Sequence, residues 1–223
     1  MKTKHALIAG LAWFLVAIVI SFSGWLGRVP MPFPQVVIAA LTVGLLLIFA
    51  RASSVRVWAL QLDPRALLGL HLVRFIGLYF IFLYFRSELP YAFALPAGVG
   101  DTLVAGSAVM LLLFIPRPLA VRWHRWVWVA WNIFGLMDIG FVVLTAAQVG
   151  IANPASMSAL TRFPLGLLPT FLVPLIIVSH IVLFVRLSRP AKDHEQNQKP
   201  HPALGGSRLR VRSLEHRASS SWL

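Results

Sequence analysis

Apolar residues along this chain gather into long blocks, and the stretches between them are short and rich in Pro, Gly, Ser and Arg. Blocks of about 16 to 24 apolar residues are the length at which an α-helix crosses the hydrocarbon core of a bilayer. Six such blocks can be drawn, at residues 6–26, 35–50, 66–85, 98–115, 126–149 and 165–185. The second is close to the lower length limit and can be extended back towards Met31. The pattern predicts an all-α fold, a polytopic membrane helix bundle with six transmembrane helices. The first block follows MKTKH and has small residues after its apolar core, as a signal peptide does. Its length and the lack of an A-x-A site favour an uncleaved span.

Composition agrees with the pattern. Of 223 residues, 58% are hydrophobic and 12% charged, and the mean hydropathy is +0.79. A soluble domain is nearer half apolar and about a quarter charged. The absence of cysteine removes disulfides, thiolate metal sites and thiol nucleophiles from consideration.

The formal charge of +13 would suit a nucleic-acid partner if the basic residues shared a soluble face. They do not, so no nucleic acid is expected, and the partner is the lipid bilayer. Lys2 and Lys4, then Arg51, Arg56 and Arg65, then Arg117, Arg122 and Arg125, then Arg186 and Arg189 fall at one set of block ends. The opposite ends carry single arginines, Arg28, Arg86 and Arg162. The positive-inside rule then puts both termini in the cytoplasm, and Trp58, Trp123, Trp126 and Trp128 form an aromatic belt on that side. Residues 1–188 are read as the transmembrane domain and 189–223 as a disordered basic cytoplasmic tail. Asp63-Pro64 carries a helix-start signature for the third block.

Chemistry in a bilayer is sought where polar groups are costly. The candidates are His71 and Arg74 in the third block, Asp101 at the mouth of the fourth, Asn132 and Asp138 in the fifth and His180 in the sixth. Arg74 lies roughly 12 Å along its helix and needs an anion, carbonyls or water as partner. His71, Arg74 and Gly77 share one helical stripe, with Gly77 open to a close neighbour. Asn132, Gly135 and Asp138 trace a slanted polar groove, and Asp138 is both the protonatable carboxylate and the natural counter-ion for Arg74. His71 and His180 come out at matching depth, within about 3 Å by helix rise.

LPYAFALPAGVGD, residues 89–101, reads as an external lid folded against the bundle, with Asp101 capping the fourth helix or facing an outer vestibule with Arg86 and Glu88. Pro169 and Pro174 predict a kink in the outer half of the sixth block.

ELPYAFALPAGVGDTLVAG, WNIFGLMDIG and FPLGLLPTFLVPLIIVSHI resemble a group of small bacterial multi-spanning inner-membrane proteins of uncharacterised activity, over residues 66–187. The resemblance implies a bacterial inner-membrane protein and carries no substrate or catalytic residue.

No catalytic template is present: no paired carboxylates, G-x-S-x-G, phosphate loop or H-E-x-x-H. Three functions stay open. The first is a non-enzymatic membrane protein that binds or moves a small polar solute or proton through Arg74, Asp138, Asn132 and Asp101, with no metal or cofactor. The second is a redox protein holding haem or quinone through His71 and His180. The third is an assembly or scaffold subunit, paired with a second copy or with a membrane partner.

Overall fold

The structure, a computed structural model, describes residues 3–115 and 121–188. The tail at 189–223, together with Lys2, Arg117 and Arg189, lies outside the described residues. Eight α-helices run in sequence: α1 (Thr3–Phe22), α2 (Phe33–Arg51), α3 (Ser53–Gln61), α4 (Pro64–Leu70), α5 (Ile76–Phe85), α6 (Tyr91–Phe114), α7 (Arg122–Ala152) and α8 (Val173–Ser188). Short 3₁₀ segments occupy Trp25–Gly27, His71–Phe75 and Pro154–Thr161, and a π-helical turn, Leu168–Leu172, leads into α8. A 3₁₀ stretch joins α4 to α5, so Pro64–Phe85 is one continuous rod. Among the described residues six helical rods are long and apolar enough to cross a membrane. Their bounds match the six expected blocks to within a few residues, with one exception.

The exception is the fourth. α6 begins at Tyr91, so all of LPYAFALPAGVGD after Leu89 and Pro90 is helix and not a lid, and Asp101 sits eleven residues into that helix instead of at its cap. Pro96, Gly98 and Gly100 are turn-forming residue types, yet all three lie inside the helix. Pro96 lies in the second turn, where a missing amide hydrogen costs one intrahelical bond. The glycines instead serve packing: Ala94, Ala97, Gly98, Asp101, Val104, Ala105 and Ala108 form one buried face at three- and four-residue spacing. A face of small residues lets helices approach closely where lipid supplies no hydrophobic drive between them. α5 takes advantage of it. A Cβ added to Gly98 would lie 2.6 Å from the Gly77 carbonyl oxygen, and one added to Gly77 would lie 2.8 Å from the Asp101 Cβ. The remaining link from α5 to α6 is a tight turn with Ser87 at φ 58°. Arg86 and Glu88 stand 3.7 Å apart there, both exposed, where an ion pair contributes little.

Asp63 caps α4 as expected, accepting from the Arg65 amide at 2.9 Å. α3 was not foreseen. Its nine residues are too few to span, and Arg186 near the end of α8 donates to the carbonyls of Leu60, in its last turn, and Leu62, its C-cap. These bonds join the end of α8 to the C-terminal end of α3. The expected irregularity in the sixth rod is present as the π-helical turn that contains Pro169; Pro174 lies in the first turn of α8.

Large apolar side chains also cover the outside of the bundle. Leu7, Val19, Val43, Leu78, Phe82, Leu103, Met137 and Leu144 are all more than half exposed. Inside, apolar packing divides into two main regions along the helix axes. One gathers Leu68, Val104, Trp128 and Leu183; the other gathers Phe80, Phe93, Ala94 and Met157. On the third through sixth rods the polar candidates fall between these two regions.

Candidate functional site

Arg74 is the centre of the site, and its side chain is 1% exposed. The 3₁₀ turn His71–Phe75 lines up residues three apart, so His71 and Arg74 project from the same edge of the rod. The guanidinium reaches three acceptors on two neighbouring helices. Nε donates to Asp101 Oδ1 on α6 at 2.6 Å, and Nη1 donates to the Gly135 carbonyl on α7 at 2.9 Å. Nη2 donates to Asp138 Oδ2, also on α7. Planar Arg suits such a task because its donors point outward in a fixed fork.

Two glycines make room for this. A Cβ on Gly100 would collide with the Asp138 carboxylate, so α6 must be bare at that point for the carboxylate to reach Arg74. Gly77 lets α5 come close enough to α6 for Asp101 to lie beside it. Arginine with two carboxylates is not a neutral set. With both acids ionised the cluster carries one excess negative charge in a buried setting, and one bound proton or one cation makes it neutral. Uncompensated buried charge is expensive, several kcal/mol in real proteins.

A second polar group lies beside the first. His71 and His180 are both fully buried, and their ring centroids are 4.2 Å apart at 45°. Trp131 packs edge-on against His71 at 5.0 Å. The bonding assigns both tautomers. Asn132 Nδ2 donates to the His180 carbonyl at 3.0 Å, which leaves Asn132 Oδ1 as an acceptor for His180 Nδ1–H at 2.7 Å. Ser179 Oγ donates to the Ile176 carbonyl at 2.7 Å, so at 3.1 Å it accepts from His71 Nε2–H. The remaining nitrogens, His71 Nδ1 and His180 Nε2, are then bare lone pairs, buried and without a hydrogen-bond partner. Gly135 ties the two groups together. Its carbonyl accepts from Arg74, and its Cα lies under the His180 ring, where a Cβ would meet Cε1 at 2.6 Å.

The expected candidates are thus brought together. Arg74, Asp138 and Asp101 form one cluster, and His71, His180 and Asn132 form the other. Asp101 was expected at a helix cap and pairs with Arg74 instead. Asn132 braces His180 and makes no bond to Asp138. Sequence reasoning missed Gly100, Ser179 and the Gly135 carbonyl, because a glycine's value lies in which neighbour it faces.

The histidine pair does not fit axial haem ligation. Iron between two imidazoles needs metal–nitrogen bonds of about 2 Å on each side, with the porphyrin plane between the rings. Rings 4.2 Å apart by centroid rest on each other and leave no such gap. Among the described residues no group of three or more His, Asp or Glu is placed to hold a metal ion.

An interior cavity of about 70 Å³ adjoins the charged cluster, walled by α2, the third rod, α6, α7, the Pro154–Thr161 turn and the sixth rod. Arg74 and Asp101 are part of its lining. No curated protein and no solved structure matches the chain. The family model described as Domain of unknown function (DUF8737) matches residues 31–188, which takes in every residue of both polar clusters. The chain belongs to this DUF8737 family.

Proposed function

We propose that the chain is a six-span membrane protein that binds and carries a proton through Arg74, Asp101 and Asp138, with His71 and His180 as the adjoining relay. One observation carries this reading: a single buried arginine is shared by two carboxylates. The excess carboxylate is a proton site by charge count alone, because protonating either acid leaves a neutral cluster. Ionisable groups placed inside helical bundles commonly serve ion pathways and relays. The two bare imidazole lone pairs next to Arg74 supply the next acceptors, and each ring can take a proton on one nitrogen while releasing one from the other.

Membrane insertion is supported by six rods of sufficient length and apolarity and by the apolar side chains on their outward faces. The grouping of Lys4, Arg51, Arg56, Arg65, Arg122, Arg125 and Arg186 at one set of rod ends supports cytoplasmic termini. The resemblance at residues 66–187 supports a bacterial inner membrane. Residues 1–188 form the transmembrane unit in this reading, followed by a basic tail.

Purified protein in proteoliposomes, with a potassium diffusion potential and a pH-sensitive dye inside, tests the proposal. Wild-type vesicles should acidify faster than protein-free ones. Asp138→Asn leaves a neutral Arg74–Asp101 pair with no excess carboxylate, so its flux should fall to the protein-free level. Equal flux in wild type and Asp138→Asn would remove the cluster from any proton path.

A further inference from the structure

The cavity beside the cluster is almost wholly apolar. Its polar lining residues are Gln35, Arg74, Asp101 and Thr161. Thr161 is committed to the Ser158 carbonyl at 2.8 Å, and Arg74 directs three donors to the acceptors already described. What is left uncommitted points one way. Gln35 Oε1 is buried and has no hydrogen-bond partner, so it is an acceptor waiting for a donor. The charged cluster has one carboxylate more than it has cations. A burdened acceptor and an excess negative charge, on different helices, both call for a group that donates hydrogen bonds and carries positive charge. An anionic head meets the opposite on both counts, because Arg74 is already held by two carboxylates.

The walls add the second half of the specification. A proton or a hydrated inorganic cation has no use for an apolar enclosure, whereas small-molecule sites are mostly apolar with a few convergent polar groups. At roughly 10–15 Å³ for each water-sized position, the space suits a body of about five non-hydrogen atoms. We propose that this cavity binds a small alkyl amine in its ammonium form, the alkyl body against the apolar walls and the head towards Asp101 and Gln35. The inference rests on the proton reading above and names its substrate class: the ammonium and the proton are alternative neutralisers of the same excess carboxylate, so binding one releases the other.

Ligand-detected NMR saturation transfer on the full chain in non-ionic detergent tests this, with n-butylammonium chloride as probe and sodium butyrate as its anionic counterpart. Butylammonium should receive saturation from the wild type and butyrate should not. Gln35→Met, which removes an unpaired buried acceptor and keeps the side-chain length, should lose most of the transfer. Ile38→Trp, which fills the cavity from α2, should lose it as well. Both variants are checked for folding by their thermal transitions. Equal transfer to butyrate and butylammonium, or transfer to butylammonium unchanged in both variants, overturns the assignment. Proton flux in proteoliposomes without butylammonium binding overturns the amine and leaves the proton site standing. Butylammonium binding without flux has the opposite meaning.

Discussion

The two polar clusters lie side by side and satisfy their buried groups in opposite ways. Around Arg74, three donors meet three acceptors, and what remains is charge: one carboxylate too many. Around His71 and His180 no charge is needed, and what remains is bonding capacity: two lone pairs with no donor. The Arg74 cluster joins the third rod to α6 and α7 by ion pairs, and the histidine cluster joins the third rod and α7 to α8 by neutral hydrogen bonds. The difference teaches that one cluster is left with uncompensated charge and the other with unused hydrogen-bonding capacity. Buried groups left this way are not what stability alone favours, since an apolar replacement of a whole buried ion pair is often neutral or stabilising.

The largest effect that sharpens this contrast comes from Arg74→Leu. It strands two carboxylates against each other, and the loss should be about 3–5 kcal/mol in thermal or denaturant unfolding in detergent. Asp138→Asn, by comparison, leaves a one-to-one pair and should cost far less. A cost for Asp138→Asn equal to that for Arg74→Leu would break the claim of an excess acid.

Next come the glycines, one under each cluster. Gly100→Ala drives the Asp138 carboxylate away from Arg74, and Gly135→Ala presses on the His180 ring; each should destabilise by about 1–3 kcal/mol. Gly106→Ala, whose Cβ meets nothing within 4 Å, should stabilise by about 0.5–1 kcal/mol, as expected for a helix-interior glycine. If all three behave alike, close approach is not what these glycines provide.

On the histidine side, His180→Phe keeps an aromatic ring but leaves Asn132 Oδ1 without its donor, for a loss of about 1–3 kcal/mol. The smallest loss is that of Ser179→Ala, about 1 kcal/mol, since His71 Nε2–H loses its acceptor while the ring stays packed against Trp131. A Ser179→Ala loss exceeding that of Arg74→Leu would invert the ranking of the two clusters.

Much of this was legible in the sequence. Helix length and apolarity gave the rods, and helix rise alone placed His71 and His180 at one depth, where their rings do meet. Arg74 and Asp138 stood out because ionisable residues in apolar blocks are rare. What was hidden depended on distant neighbours. Pro96, Gly98 and Gly100 look like turn residues until α5 is seen lying against them, and this misreading put Asp101 at a helix end. Gln35 sat at the edge of its predicted block and gave no signal, because its meaning comes from a cavity whose other walls are supplied mostly by later rods. The prolines of the sixth block signalled its irregular turn at Leu168–Leu172, whereas no proline or glycine marks the 3₁₀ turn at His71–Phe75.

The central claim is that Arg74 holds two carboxylates and one exchangeable proton. Difference infrared spectroscopy of the purified protein through a pH titration in H₂O and D₂O reads this directly. A protonated-carboxyl stretch should appear and disappear across the titration, shift on deuteration, and be absent in both Asp101→Asn and Asp138→Asn. A wild-type protein with no such band, or a band that survives in both variants, would contradict it.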